Sequence, residues 1–238
     1  MKQQKVIYNG KPIAFSVERR NRKTLEIQVR PDLTVVALAP IDAAIADIKT
    51  KIVKRGSWIL KKQRYFMEFF PRDPPRQYQS GETHMYLGNQ YRLKVEQATK
   101  NEVKMKGPHI WVKAKDKQDS QLIQRLLYDW YRAHANVKFN ESIERCLQKT
   151  KKYGIERPNI VIMKLKKRWG SCVAGKYKVL LNLEMIRIPM YCIDYVVTHE
   201  LCHLKYDGHD PKFYNFLTLV MPDWRERKAK LKKIFLRE

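Results

Sequence analysis

The tightest constraint on this chain is the spacing of three histidines in Thr198-His199-Glu200-Leu201-Cys202-His203-Leu204-Lys205-Tyr206-Asp207-Gly208-His209-Asp210-Pro211. If the segment up to Tyr206 is helical, His199 and His203 stand one turn apart on one face, roughly 6 Å along the axis. Two imidazoles so placed can hold one zinc ion at roughly 2.0–2.1 Å per nitrogen. Glu200 projects about 100° round the helix from His199, outside that grip but within reach of a water on the metal, whose proton it can take. Gly208 is expected to stop the helix, because glycine turns there at no steric cost. His209 is then free to swing back to the same ion from the loop, with Asp210 and Pro211 reading as N-cap and first residue of the next helix. Three nitrogen ligands and an open fourth position describe a hydrolytic zinc site, not a closed structural one. Glu226 is the rival third ligand, since a downstream carboxylate can serve in this role.

An apolar stripe of Ile193, Val196, Val197, Leu201 and Leu204 supports the helix, with both histidines beside it. Hydrolysis also needs a donor for the developing oxyanion, and Tyr206 and Tyr214 lie near enough in sequence to be candidates. Two other readings keep the metal. A phosphoryl or nucleotide substrate would suit a basic surface, although the acidic cluster usual in two-metal enzymes is missing. A polyanion-binding module with structural zinc would have no need of Glu200 beside its first ligand.

The net charge of +25 points to contact with nucleic acid or another polyanion. Basic residues cluster at 19–23, 49–62, 149–152, 164–168 and 225–237, with Trp58 and Tyr65 placed to stack on bases. No named nucleic-acid motif accompanies them. Hydrophobic content of 44% and five tryptophans exclude a disordered protein. No apolar run approaches the roughly 18 residues of a membrane span, and the first residues carry no apolar secretion signal. The expectation is a soluble cytoplasmic protein with no membrane partner. Its four cysteines, Cys146, Cys172, Cys192 and Cys202, form no C-x-x-C pair and read as buried free thiols. Cys172, beside the Gly170 turn, is the one candidate for a redox or metal role.

The remaining pattern predicts an α+β fold. Residues 5–39 read as two hairpins, the first turning at Asn9-Gly10, followed by one helix over about 42–65. Strands are expected near 83–87, 91–96, 102–105 and 109–113, with turns at Gly88-Asn89 and Gly107-Pro108. This mostly antiparallel N-terminal region runs over 1–115, with a candidate linker at 71–76. The second domain, 116–238, opens with a long helix capped by Ser120 and ended by Gly154. Strands at 160–163 and 178–183 precede the histidine helix, and Asp223 to Glu226 reads as a capping box for the last one. No internal repeat is evident. His84, His109 and His134 read as structural or exposed histidines.

Arg168-Trp169-Gly170-Ser171-Cys172, His199 to Lys205, His209 and Met221-Pro222-Asp223-Trp224 together resemble the YgjP-like family of zinc metallopeptidases, relatives of the SprT-like and other zincin-fold enzymes. Ser80-Gly81-Glu82-Thr83 and Tyr86-Leu87-Gly88 extend the resemblance more loosely over most of the chain. It implies a zincin-like C-terminal metallopeptidase domain with Zn2+ as cofactor, His199, His203 and His209 as ligands, and Glu200 as general base. It also implies a peptide or protein substrate, paired along a sheet edge above the metal, and adds Arg168 to the candidate oxyanion donors.

Overall fold

The computed structural model describes residues 3–67, 76–165 and 168–235. Contacts divide the chain into two units, one running to Asp73 and the other Pro74–Ile234.

In the first unit, β1 (Gln3–Tyr8) and β2 (Lys11–Arg19) form the expected hairpin. Its turn residues Asn9 and Gly10 take φ of 45° and 72°, both left-handed, as a tight hairpin turn of this kind requires. β3 (Glu26–Val29) and β4 (Val35–Ala39) form a second hairpin. The sheet order is β1-β2-β4-β3, so a parallel β2–β4 pair joins the two hairpins. The expected single helix is two, α1 (Ile45–Lys54) and α2 (Gly56–Met67), broken at Arg55. At the break the backbone of Gly56 lies against the Tyr8 ring, where a Cβ would come within 2.3 Å of it. Ile48, Ile52 and Ile59 nevertheless keep the stripe the sequence predicts and close the core over Ile13, Phe15 and Val35.

In the second unit, β5 (Thr83–Tyr86), β6 (Asn89–Gln97), β7 (Glu102–Lys106) and β8 (His109–Ala114) repeat the first arrangement. The order is β5-β6-β8-β7, again with one parallel pair, β6–β8, at the centre. This repeat of topology is invisible in the residues, because a sheet needs only alternating apolar positions and many sequences supply them. The long helix α3 (Ser120–Thr150) is capped one residue earlier than expected: Asp119, not Ser120, accepts from the Leu122 N–H at 2.9 Å. Then come β9 (Asn159–Met163), β10 (Gly170–Val173) and β11 (Lys178–Asn182) in the order β10-β11-β9. Three helices finish the unit: α4 (Met190–Cys202), α5 (Pro211–Val220) and α6 (Trp224–Phe235).

β5–β8 therefore pack with the later helices, whereas the sequence groups them with the first sheet. The tip of the β5–β6 hairpin explains this. Leu87 N–H donates to the Ile186 carbonyl at 2.9 Å and Gly88 N–H to the Arg187 carbonyl at 3.0 Å, just ahead of α4. A Cβ on Gly88 would meet Pro189, the N-cap of α4, at 2.5 Å. Leu93, Ile110 and Val112 consequently share one core with Leu127, Phe139, Ile193, Leu201 and Phe213. Residues 71–75 of the expected linker lie outside the described residues. Among the described residues no helix is long and apolar enough to cross a membrane. The fold is α+β, with a β-rich start and helices gathered later in the chain.

Candidate metal centre

Helix α4 is held against α3 before it presents any chemistry. Its Asp194 carboxylate accepts from Ser142 at 2.5 Å and from Arg145 at 2.8 Å, and Thr198 donates to the Cys146 sulfur at 3.3 Å. Ile193, Val197 and Leu201 are buried on the inner side. That leaves His199 and His203 on a fixed face one turn apart.

The helix ends sooner than the sequence predicts. Its last α-helical residue is Cys202, and His203 keeps near-helical angles (φ −69°, ψ −13°) as its cap. Leu204 and Lys205 N–H then reach back to Leu201 and Cys202 carbonyls, both at 3.1 Å, so the final turn is tightened. Gly208 lies outside the left-handed region and does not provide the stop. A side-chain hydrogen bond closes this turn instead: His203 Nδ1–H donates to the Tyr206 carbonyl at 2.9 Å. A carbonyl can only accept, so the bond turns Nε2 of His203 outward as the free donor atom.

The chain comes back as expected. Asp210 caps α5, accepting from Phe213 N–H at 2.9 Å, with Pro211 in the first turn. Phe213, fully buried, lies under all three imidazoles: its ring centre is 4.5 Å from that of His203, 4.9 Å from His209 and 5.0 Å from His199. On this apolar base the three Nε2 atoms converge, 3.2 Å between His199 and His203, 3.2 Å between His203 and His209, and 3.0 Å between His199 and His209. An ion at roughly 2.0–2.1 Å from three nitrogens in tetrahedral geometry separates them by about 3.3 Å. The cluster therefore fits a divalent metal. Burial, with the neighbouring His203 and His209, pushes His199 down to about 3, and burial also lowers His209, which keeps both rings available as lone-pair donors.

Glu200 lies beside the triangle, 6% exposed. Burial pushes its carboxyl up to about 7, against a hydrogen bond from the Cys172 backbone and the Arg168 charge, which both pull it down. It fits there because residue 170 has no side chain: a Cβ on Gly170 would stand 2.7 Å from Glu200 Cγ and Oε1. The loop leading into β10 is held in turn by Asn182. Its amide donates to the Leu165 and Arg168 carbonyls, both at 2.9 Å, and its Oδ1 accepts from Leu165 and Glu184 N–H at 3.2 Å. β10 is an edge strand, and with Glu200, Arg168, Asp207 and the histidines it lines an open cleft of about 410 Å³.

The other expected residues separate clearly. Arg168 lies in the cleft, its guanidinium donating to Ser171 Oγ at 3.1 Å. The Tyr206 ring packs on Phe216, centroids 5.5 Å apart, and its carbonyl accepts from His203. Tyr214 stacks on Trp224 at 5.4 Å, with its ring 6.1 Å from that of His209. Glu226 is exposed on α6 and does not join the histidine cluster; Asp223 stands immediately before that helix, its carbonyl accepting from the Glu226 and Arg227 N–H groups and its carboxylate from the Arg227 side chain at 2.8 Å. The Cys172 thiol lines the cleft but is pushed up to about 11 by burial and by the Glu200 and Asp207 charges, which suits an inert thiol. His84 is wholly buried between Arg76 and Glu82, and His134 stacks on Trp130 with centroids 4.0 Å apart.

Sequence reasoning missed Asn182, Gly170 as the space for Glu200, Phe213 as the floor, and Asp207 at the rim. Asn182 left one visible signal, a lone amide ending the apolar run Val179-Leu180-Leu181.

Three convergent imidazoles, a buried carboxylate beside them and an edge strand along the cleft define a metal-dependent hydrolase. The chain belongs to the YgjP-like family: the family model described as YgjP-like, metallopeptidase domain, matches residues 23–234. The comparison with curated proteins returns no match. Among solved structures, the chain is similar to the metallopeptidase zymogen abylysin of Pyrococcus abyssi (20% identity, 42% of this chain and 97% of that one, TM-score 0.38). It is likewise similar to the zymogen jannalysin of Methanocaldococcus jannaschii (22% identity, 40% and 88%, TM-score 0.36).

Proposed function

We propose that this protein is a zinc-dependent peptidase in which His199, His203 and His209 hold the ion and Glu200 is the general base. The observation that carries this reading is the triangle of Nε2 atoms, 3.0–3.2 Å on a side, with the Glu200 carboxylate next to it. When bound, zinc supplies Lewis acidity, activating water near neutral pH and polarising a carbonyl. Glu200, raised by burial to about 7, takes a proton from the attacking water and returns it to the leaving nitrogen. The free edge of β10 offers backbone groups to an extended peptide lying across the cleft. Arg168 stands at the end of that strand as the donor for negative charge developing on the scissile carbonyl oxygen.

A second reading, cleavage of a phosphoryl bond, draws on one observation: Arg168 has no carboxylate partner among the described residues and faces the cleft. One experiment separates the two. Undialysed protein is assayed for metal content, for cleavage of unfolded casein and for phosphate release from nucleotides. About one zinc per chain, with casein cleavage abolished by chelation, is expected. Nucleotide turnover without protein cleavage selects the second reading, and absence of zinc uptake overturns both.

A further inference from the structure

The first unit carries a second concave site that the hydrolase reading leaves unused. A groove of about 590 Å³ is lined by Leu25, Glu26 and Ile27 on one side and by Lys51, Lys54, Arg55 and Trp58 on the other. Lys51, Lys54 and Arg55 are spaced three and four residues apart, so they project from one face of α1 and its end. None of them makes an ion pair among the described residues, while Glu26, the one acid in the lining, is bonded to Arg22 at 3.1 Å and Gln28 at 2.7 Å. With Arg55 between them, α1 and α2 carry seven lysines and arginines against one carboxylate, Asp47.

A solvated basic face would account for the lysines alone. It does not account for Trp58, 38% exposed at the same groove, or for the apolar Leu25 and Ile27 facing it. Together Trp58, Leu25 and Ile27 make an apolar strip inside the groove, and covering that strip with a ligand is favourable. Cations beside a flat apolar ring match a ligand that alternates phosphates with flat rings. The volume lies in the range of small-ligand sites, enough for roughly one or two nucleotides at a time. A lipid surface would call for a protruding apolar residue, not a concavity. In a duplex the base faces are covered by their neighbours, so an indole can stack only on an unpaired base.

We propose that this groove binds single-stranded nucleic acid, with Lys51, Lys54 and Arg55 on the phosphates and Trp58 stacked on a base. The site stands apart from the metal centre in its residues and does not depend on the peptidase reading.

The test uses the full-length protein and a fluorescein-labelled twelve-residue oligothymidylate, followed by anisotropy over a salt series. Replacing Lys51, Lys54 and Arg55 together by Gln is expected to weaken binding at least tenfold and to flatten the log K against log salt slope by about 2. Trp58→Ala should weaken binding at least about fivefold, while Trp58→Phe, which keeps a stacking ring, should stay within about twofold. Oligothymidylate should also quench the tryptophan emission of the unmutated protein, and that quench should vanish in Trp58→Phe. A control on another basic surface, Lys94→Gln with Lys104→Gln and Lys113→Gln, should bind within about twofold of the parent. The proposal is overturned if the groove variants bind as the parent does, since net charge alone would then explain adhesion. It is equally overturned if a duplex of the same length binds more tightly than the single strand, or if the groove variants lose binding to phosphatidylserine vesicles but not to oligothymidylate.

Discussion

Gly170 and Glu200 approach so closely that a single methyl group at residue 170 would stand 2.7 Å from the glutamate's Cγ and Oε1. The contact joins two motifs, Arg168 to Cys172 and His199 to His203, that look independent in the chain. The glycine is there to admit a carboxylate, since its own backbone takes no left-handed turn. Gly170→Ala is therefore expected to displace Glu200 while leaving the three imidazoles in place. Metal content should be unchanged and casein turnover should fall about a hundredfold, the effect of misplacing a reacting group by about 1 Å. Metal analysis and steady-state kinetics on the same preparation check it.

Glu200→Gln removes the proton acceptor and preserves size. Zinc content should match the parent, and turnover should drop by roughly 10²–10⁴. A fully active variant would take Glu200 out of the mechanism.

His209 and Glu226 compete for the third ligand position on sequence grounds, but His209 alone stands with the other two imidazoles. His209→Ala should lose most of its bound zinc, and Glu226→Ala should retain it. Elemental analysis after dialysis reads the difference directly.

Asn182 is 5% exposed and bridges Leu165, Arg168 and Glu184 with its amide group. Asn182→Ala leaves the Leu165 and Arg168 carbonyls without this donor in a part-buried setting, at a cost of about 1–2 kcal/mol each, the lower part of the range for an unsatisfied group. Urea unfolding should show a loss of roughly 2–4 kcal/mol. Activity should also fall, because the loop carrying Arg168 and Gly170 loses its anchor.

His84 gives the protein an acid-sensitive element far from the cleft in sequence. Burial, together with the Arg76 charge, pushes His84 down to about 4 from an ordinary 6.5. Between those values the unfolded chain holds a proton that the folded chain does not. Stability therefore falls as pH drops from about 6.5 towards 4 and levels off below it, with a slope of at most about 1.4 kcal/mol per pH unit from this group. His84→Gln should flatten that part of the stability profile in metal-free protein, measured by urea melts at a series of pH values.

The histidine spacing was legible because a helix repeats locally. His199 and His203 must share a face wherever the helix goes, and Asp210 with Pro211 must begin the next one. The apolar periods of α1, α2 and α3 were readable for the same reason. The break at Arg55 was not, since what it accommodates is the Tyr8 ring from a strand far back in the chain. The end of α4 is not legible either: Gly208 predicts a stop there, yet the turn forms around the His203 to Tyr206 hydrogen bond.

What the sequence determined by itself was the local chemistry: which residues can offer nitrogen, which can take a proton, and that a helix and a corner would bring them near each other. Tertiary structure alone decided the rest. It assigned β5–β8 to the unit that holds the metal centre, by docking Leu87 and Gly88 on the backbone before α4. It placed Gly170 under Glu200, Asn182 behind Arg168 and Phe213 beneath the imidazoles. Those relationships depend on close packing between segments distant in the chain, and the spacing of residues along a chain carries no record of which distant surfaces will meet.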